Sequence, residues 1–504
     1  MSRMVVVASA LALGVFGVAR GTWAVGGSDS SCYALMAQSF ARGQLQPSSP
    51  LALDAPWPDA ARSVAPAGFV PSPVRSGAAS PVCAPGMSLL MAPLVVAGGR
   101  NGVFWVTPFA AAALVWFASV LATRLAGAMA GAVAAVLVAA SPIVLFQAVQ
   151  PMNDVVTAAL WVAAVAVATG TRPGRAWACG ALMGLALLVR PNLALVALVV
   201  GGAALASGGS SIRDSRRLAI GALPGVAVLL WLNYSLYGGA FASGYGIAAQ
   251  LFSAANLSAN AAHFARALYE TQTLFPVLAL FAPVVFTSSA RTIAWTSLAA
   301  AGAVVVTYLS YRPYPEWWYL RFLLPAVVLS VVLASAVAVR VAMGARMGGV
   351  VAIGTVILAL MSLRTAGDRQ AFDLWRLEGR YADTAALVRD RLPERAVIIT
   401  VWQSGSVRFH AGREAVLWDA VDPAWLDRAV SWLSAQGRTP YVLIERREEA
   451  AFRARFSGRS ELGALDWPPR FDVNRQVRLF DPADRGRHLA GETYPTENIR
   501  PARR

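Results

Sequence analysis

The sequence predicts a polytopic α-helical membrane protein of about eleven spans with an α/β domain at its C-terminal end. Three observations predict it. Of the 504 residues, 57% are hydrophobic and 14% charged, and mean hydropathy is +0.54, whereas soluble domains carry about 25% charged residues. Apolar runs of span length recur through residues 1–363. From residue 364 the composition changes to that of a soluble domain. The domains are therefore read as 1–363 in the membrane, with an outer loop 21–100, and 364–504 outside it.

Met4 to Val18, flanked by Arg3 and Arg20, is a first helix or a signal peptide cleaved near Ala24. Both readings put the next segment outside. Within it, Tyr33 to Arg42 reads as a short helix with Tyr33, Met36, Ala37 and Phe40 on one face, a spacing that suits a helix lying in the interface plane. Met87 to Ala97 is too short to span and is expected to lie in the interface or to dip in and return. Apolar spans then fall near 103–122, 126–146, 155–169, 176–189, 192–206, 218–236, 273–288, 292–310, 322–339 and 347–363. With the N-terminus inside, the short inner connections hold Arg124, Arg172 with Arg175, Arg213 with Arg216 and Arg217, Arg291, and Arg340 with Arg346. Each is basic, as the positive-inside rule requires. The C-terminal domain is then extracytoplasmic, and the chain sits in a bacterial inner membrane.

In that domain, Tyr381 to Arg391 reads as a helix. Val397 to Trp402, Ala415 to Trp418, Tyr441 to Glu445 and Gln476 to Phe480 read as strands. Asp422 with Pro423 is a cap and first-turn proline for a helix running to about Ser434. Alternating strands and helices give an α/β unit.

The net charge of +16 is supplied by arginine alone. These arginines are scattered over loops and a tail, which argues against nucleic acid as a partner. Cys32 and Cys83 share the outer loop, where an oxidising compartment permits a disulfide; two unpaired small residues are the alternative. His263, His410 and His488 match no ligand spacing, so no His-rich metal site is read, and a divalent ion is left open without support. No cofactor is required.

Charged groups avoid the middles of the spans and gather at their outer ends. A transporter places ionisable groups near the midplane, whereas an enzyme acting on a lipid head group places them at one face. Asp29, the first carboxylate in the chain, follows the first apolar segment. Asp154 ends the polar turn Gln150 to Asp154, where it also suits a helix cap. Arg190 precedes Pro191 at a break in an apolar run, so it snorkels or binds an anion. Tyr311 to Arg321 holds five aromatics with Arg312, Glu316 and Arg321. That is more charge than an aromatic belt needs, and Arg321 is placed for a lipid phosphate. A further outer loop with Asn233, Tyr234, Tyr237 and Tyr245 offers hydrogen bonds and stacking to a sugar.

In order along the chain stand GGSDSSCYALMAQSFARGQL, PGMSLLMAPL, QPMND, GLALLVRPNLAL, NYSLYGGAFASGYG and WWYLRFLLPA. With this order, residues 1–363 resemble the GT-C superfamily of membrane glycosyltransferases, above all the relatives of protein mannosyltransferases and aminoarabinose transferases. The resemblance implies sugar transfer from a polyprenyl-phosphate carrier to an acceptor hydroxyl on the outer face. It implies Asp29 and Asp154 as the catalytic acidic positions, and Arg190 and Arg321 as basic positions near the carrier phosphate. One departure stands out: Ser28-Asp29-Ser30 has a single acid where the mannosyltransferases have a pair. A lipid-linked sugar flippase and a non-catalytic scaffold with a binding domain are the alternatives.

Overall fold

The computed structural model describes residues 2–206, 211–247 and 250–500. The chain is a multi-pass helical membrane protein carrying a mixed sheet near its C-terminus. Among the described residues seven helices are long and apolar enough to cross a membrane, or nine if each of two sharply bent pairs is one span. That count takes Val106–Ala140 as one helix and does not confirm the expected eleven. Two of the expected spans, at 176–189 and 192–206, are helices too short for the count, Arg175–Val189 and Pro191–Ala206.

The expected spans 103–122 and 126–146 form one continuous helical stretch, Val106–Ala140, interrupted by non-helical geometry at Ala126 and Gly127. The chain reverses there. A straight helix would put residues 119 and 131 about 18 Å apart, yet a Cβ on Gly131 would fall 3.0 Å from the Ser119 carbonyl oxygen. Gly127 makes the turn at φ +82°, a conformation that glycine adopts without steric penalty.

The segment 21–100 is not an open loop. It contains the helix Gly27–Ala41, two short helices, the hairpin of β1 (Phe69–Pro71) with β2 (Ala79–Pro81), and the helix Gly86–Gly98. The helix Gly27–Ala41 does not rest its apolar face on lipid, as its spacing suggested, but on protein. Residues Ser30 to Ala37 are all buried, because the helix packs against Gly86–Gly98 on one side and the C-terminal region on another. Apolar spacing alone does not distinguish lipid from protein as the covering surface.

The C-terminal region forms a six-stranded sheet in the order β4 (Glu414–Val416), β3 (Ala396–Ile399), β5 (Thr439–Glu445), β7 (Val477–Phe480), β6 (Phe471–Val473) and β8 (Glu497–Ile499). β3 runs parallel to both β4 and β5, while β7 is antiparallel to β5 and β6. The expected strands and helices are all present within a few residues; β6 and β8 are added, and both are only three residues long. As expected, Asp422 caps its helical start, its Oδ1 accepting from the Ala424 amide at 2.9 Å.

Loops 44–68 tie the sheet region to the helices. The Ala67 amide donates to Ser404 Oγ at 3.0 Å, and Arg408 Nη2 donates to the Val64 carbonyl at 2.8 Å. The Val25 amide donates to His410 Nε2 at 3.1 Å. A disulfide joins Cys32 to Cys83 and closes a link of 51 residues.

Opening that link releases loop-closure entropy worth roughly 2–4 kcal/mol in the unfolded chain. Cys32→Ser is expected to lower the thermal unfolding midpoint in detergent, and dithiothreitol should do the same to the wild type. Midpoints that stay put in both cases would contradict this. In the sheet region, burial pushes the Glu448 carboxyl up to about 7 from its ordinary 4.5. The folded protein then holds a proton that the unfolded chain has lost, so stability falls as pH rises between those values. The unfolding midpoint should decline from pH 5 to pH 8, and Glu448→Gln should flatten the decline; a slope that persists in the variant rules Glu448 out as its source.

Candidate functional site: a cavity walled by paired charges and aromatic rings

Four segments converge on one cavity of about 890 Å³. Each brings one charged side chain, and each does so at a helix end. Asp29 stands in the first turn of Gly27–Ala41. Asp154 stands in the first turn of Asn153–Ala168, after a 119° bend from the preceding helix. Arg190 ends Arg175–Val189, where Pro191 prevents the helix from continuing. Arg321 belongs to the 3₁₀ turn Trp317–Leu323 that leads into Leu324–Gly344.

The four form an alternating row. Arg321 Nη2 donates to Asp29 Oδ2 at 2.7 Å, and Arg321 Nη1 lies 4.0 Å from Asp154 Oδ2. Arg190 Nη2 donates to Asp154 Oδ1 at 2.7 Å and to Asn153 Oδ1 at 3.1 Å. Asp154 is fully buried and does not reach the cavity, whereas Asp29, Arg190 and Arg321 line it. Asp154 therefore holds both guanidinium groups from behind. Its side chain caps nothing, and the residue at the cap position is Met152.

Aromatic rings complete the charge environment. The Arg190 guanidinium carbon is 5.9 Å from the Tyr308 ring centre and 5.7 Å from that of Phe322; for Arg321 the distances are 5.2 Å to Tyr319 and 5.3 Å to Phe322. These rings displace water while their faces remain attractive to a cation. One guanidinium nitrogen on each arginine, Arg190 Nη1 and Arg321 Nε, is buried without a hydrogen-bond partner in the structure. Buried donors of this kind are rare. Burial, with the nearby Asp29 carboxylate adding to it, pushes the Tyr33 phenol well above its ordinary range, so Tyr33 stays protonated.

The support is built from close backbone approaches. A Cβ on Gly86 would fall 2.4 Å from the Leu188 carbonyl oxygen, so glycine lets the helix Gly86–Gly98 press against the turn that presents Arg190. The Cys32–Cys83 bridge links the helix bearing Asp29 to the strand end that leads into that glycine. Ser88 Oγ donates to the Tyr33 carbonyl at 3.0 Å, and Asn192 Nδ2 donates to Tyr308 Oη at 2.9 Å.

Of the sequence-predicted site residues, Asp29, Arg190, Arg321, Tyr311 and Tyr245 line the cavity, with Asp154 behind it. Arg312 and Glu316 do not line it; Arg312 is solvent-exposed and its backbone amide pairs with Leu251. They sit on the outer side of the strand-like segment whose aromatic residues face inward. Sequence reading missed Asn153, Tyr308, Phe322 and Trp402. Asn153 sits inside a polar turn already singled out. Tyr308 lies inside an apolar helix, and Trp402 comes from the C-terminal region. Both carboxylates of the row are occupied by guanidinium groups, and among the described residues no group of three or more His, Cys, Asp or Glu is placed to hold a metal ion.

No family model matches the sequence, and no curated protein matches it. Solved structures match the fold. ArnT from Cupriavidus metallidurans bound to undecaprenyl phosphate superposes with a TM-score of 0.58 at 14% identity, over 90% of this chain and 95% of that one. The archaeal oligosaccharyltransferase AglB from Archaeoglobus fulgidus, in complex with an inhibitory peptide and a dolichol-phosphate, gives 0.53 at 12% identity, over 92% of this chain and 71% of that one. At such identities the likeness is one of fold, and it is the fold expected from the order of the motifs.

Proposed function

We propose that the chain is a glycosyltransferase that moves a sugar from a polyprenyl-phosphate carrier to an acceptor hydroxyl on the extracytoplasmic side of a bacterial inner membrane. The observation that carries this is the meeting of Asp29, Arg190 and Arg321 in one cavity among apolar helices. The solved neighbours of the same fold, one bound to undecaprenyl phosphate and one to a dolichol-phosphate, support a lipid-phosphate donor. The basic inner connections support the orientation.

In this reading the carrier phosphate enters beside Arg321 and Arg190 and takes up their unpaired N–H groups. It competes with Asp29 for Arg321, and so releases a carboxylate oxygen. Asp29 accepts the proton of the acceptor hydroxyl as that oxygen bonds to the anomeric carbon. The bond from the anomeric carbon to the phosphate oxygen breaks, and its electron pair leaves on the phosphate. Arg321 and Arg190, fixed in place by Asp154, stabilise that growing charge without having to reorient. Asp154 is a positioning residue here. Tyr33, kept protonated, serves as a neutral donor rather than as a base.

A flippase would use broken helices, and two bent pairs exist. The four charges nonetheless gather at helix ends, three of them on one cavity wall and Asp154 behind it. A scaffold needs no carboxylate facing a cavity, and Asp29 faces one.

Asp29→Asn is expected to reduce sugar transfer by roughly 10²–10⁴-fold while undecaprenyl phosphate still binds; undiminished turnover would remove Asp29 from the mechanism. Arg321→Ala removes a charged hydrogen bond to the phosphate and should raise the dissociation constant for undecaprenyl phosphate by about 10–100-fold. Unchanged affinity would exclude Arg321 as the phosphate ligand.

A further inference from the structure

A second cavity, of about 330 Å³, opens in the sheet region beside Trp402, Trp418, Asp419, Arg447 and Glu448. Its size lies within the ~300–1,000 Å³ range of small-ligand sites. Trp402 belongs to this wall and to the wall of the larger cavity.

The polar groups here are arranged with some left unused. Trp418 is 6% exposed. Its ring packs on Phe452 and Phe456 at 5.5 and 6.4 Å between centres, and its Nε1–H has no hydrogen-bond partner in the structure. Glu448 is 5% exposed. Its Oε2 accepts from the Glu445 amide at 3.1 Å. The Trp402 amide lies near this carboxyl, but Oε1 completes no hydrogen bond. Native interiors seldom leave such atoms unpaired unless a ligand or water serves them. Arg447 is already engaged, with its Nε 2.8 Å from Glu445 Oε2 and its guanidinium carbon 4.7 Å from the Trp402 ring centre. That stacking fixes the indole, which remains 41% exposed.

Together these are an open aromatic face, a buried N–H donor and two carboxylates. An anion is disfavoured, because Asp419 repels it and the nearest cation, Arg447, already has its Nε on Glu445. A purely apolar group would leave the Trp418 N–H and the Glu448 oxygen unpaired. A neutral polyol answers every group, since its hydroxyls donate to Asp419 and Glu448 and accept from Trp418, while the C–H face of a sugar ring lies on Trp402. We propose that this second cavity binds a neutral carbohydrate, the saccharide portion of the acceptor. The proposal rests on the transfer reading above. Trp402, shared by both walls, puts a sugar seated there next to the cavity where Asp29 stands.

The test is calorimetric titration of the full chain in detergent with maltotriose, chitotriose and trigalacturonic acid, run without any donor lipid. A neutral trimer should bind, and more tightly than the acidic one. Trp418→Phe, which keeps the aromatic packing, should weaken that binding about tenfold, the loss of one hydrogen bond, while the thermal shift induced by undecaprenyl phosphate stays at its wild-type value. Trp402→Ala should weaken it further. Failure of both neutral trimers to bind, preference for the acidic trimer, or unaltered binding in Trp418→Phe overturns the carbohydrate site. Because the titration contains no donor, a wild-type chain that binds a neutral trimer but gives no shift with undecaprenyl phosphate counts against the transfer reading alone.

Discussion

The structure of the site depends on the alternating row Asp29, Arg321, Asp154, Arg190. Burying an isolated charge costs several kcal/mol even after relaxation, and this row places two guanidinium groups and a fully buried carboxylate among apolar helices. Alternation makes that tolerable, because each charge has an opposite neighbour within 2.7–4.0 Å. It also fixes the meeting point of four segments that are distant in sequence. Removing any member strands its partner, so the row constrains the ends of three helices and one 3₁₀ turn together.

Helix termini are the natural place for such a row. Each helix leaves unpaired backbone groups at its ends, and a chain that stops, bends or breaks there can bring polar side chains to the end of an otherwise apolar bundle. The 119° bend before Asn153 and the break at Pro191 serve this purpose. Aromatic rings then pack around the two guanidinium groups while remaining favourable to the cations. The sheet region supplies the remaining wall through Trp402, and it is held in register by the hydrogen bonds from loops 44–68 and by the contact of Val25 with His410.

Much of the site was legible in the sequence for a simple reason: a carboxylate or guanidinium at the edge of an apolar run is conspicuous. Asp29, Asp154, Arg190 and Arg321 all stood out on that ground. The method failed where the signal is not charge. Tyr308 and Phe322 read as ordinary apolar positions, and Trp402 as the end of a strand. Arg312 and Glu316 drew attention by charge alone and point elsewhere, because sequence spacing in an irregular aromatic segment does not say which side faces inward. The number of spans is not fixed by sequence for a related reason, since an apolar run of 15 residues reads the same whether it crosses a bilayer or ends at a proline break.

The sequence by itself determined the class of molecule, the order of its helices, four of the six strands of the C-terminal sheet and the identity of the four charges. These follow from local quantities, namely hydropathy, periodicity and the turn chemistry of proline and glycine. Tertiary structure decided which acid faces the cavity and which stands behind it, that the helix of Asp29 is covered by protein and not by lipid, that Cys32 reaches Cys83, and that Trp402 lines two cavities. Those outcomes depend on distances between segments hundreds of residues apart, and such distances are set by packing and pairing across the whole fold, which no local window contains.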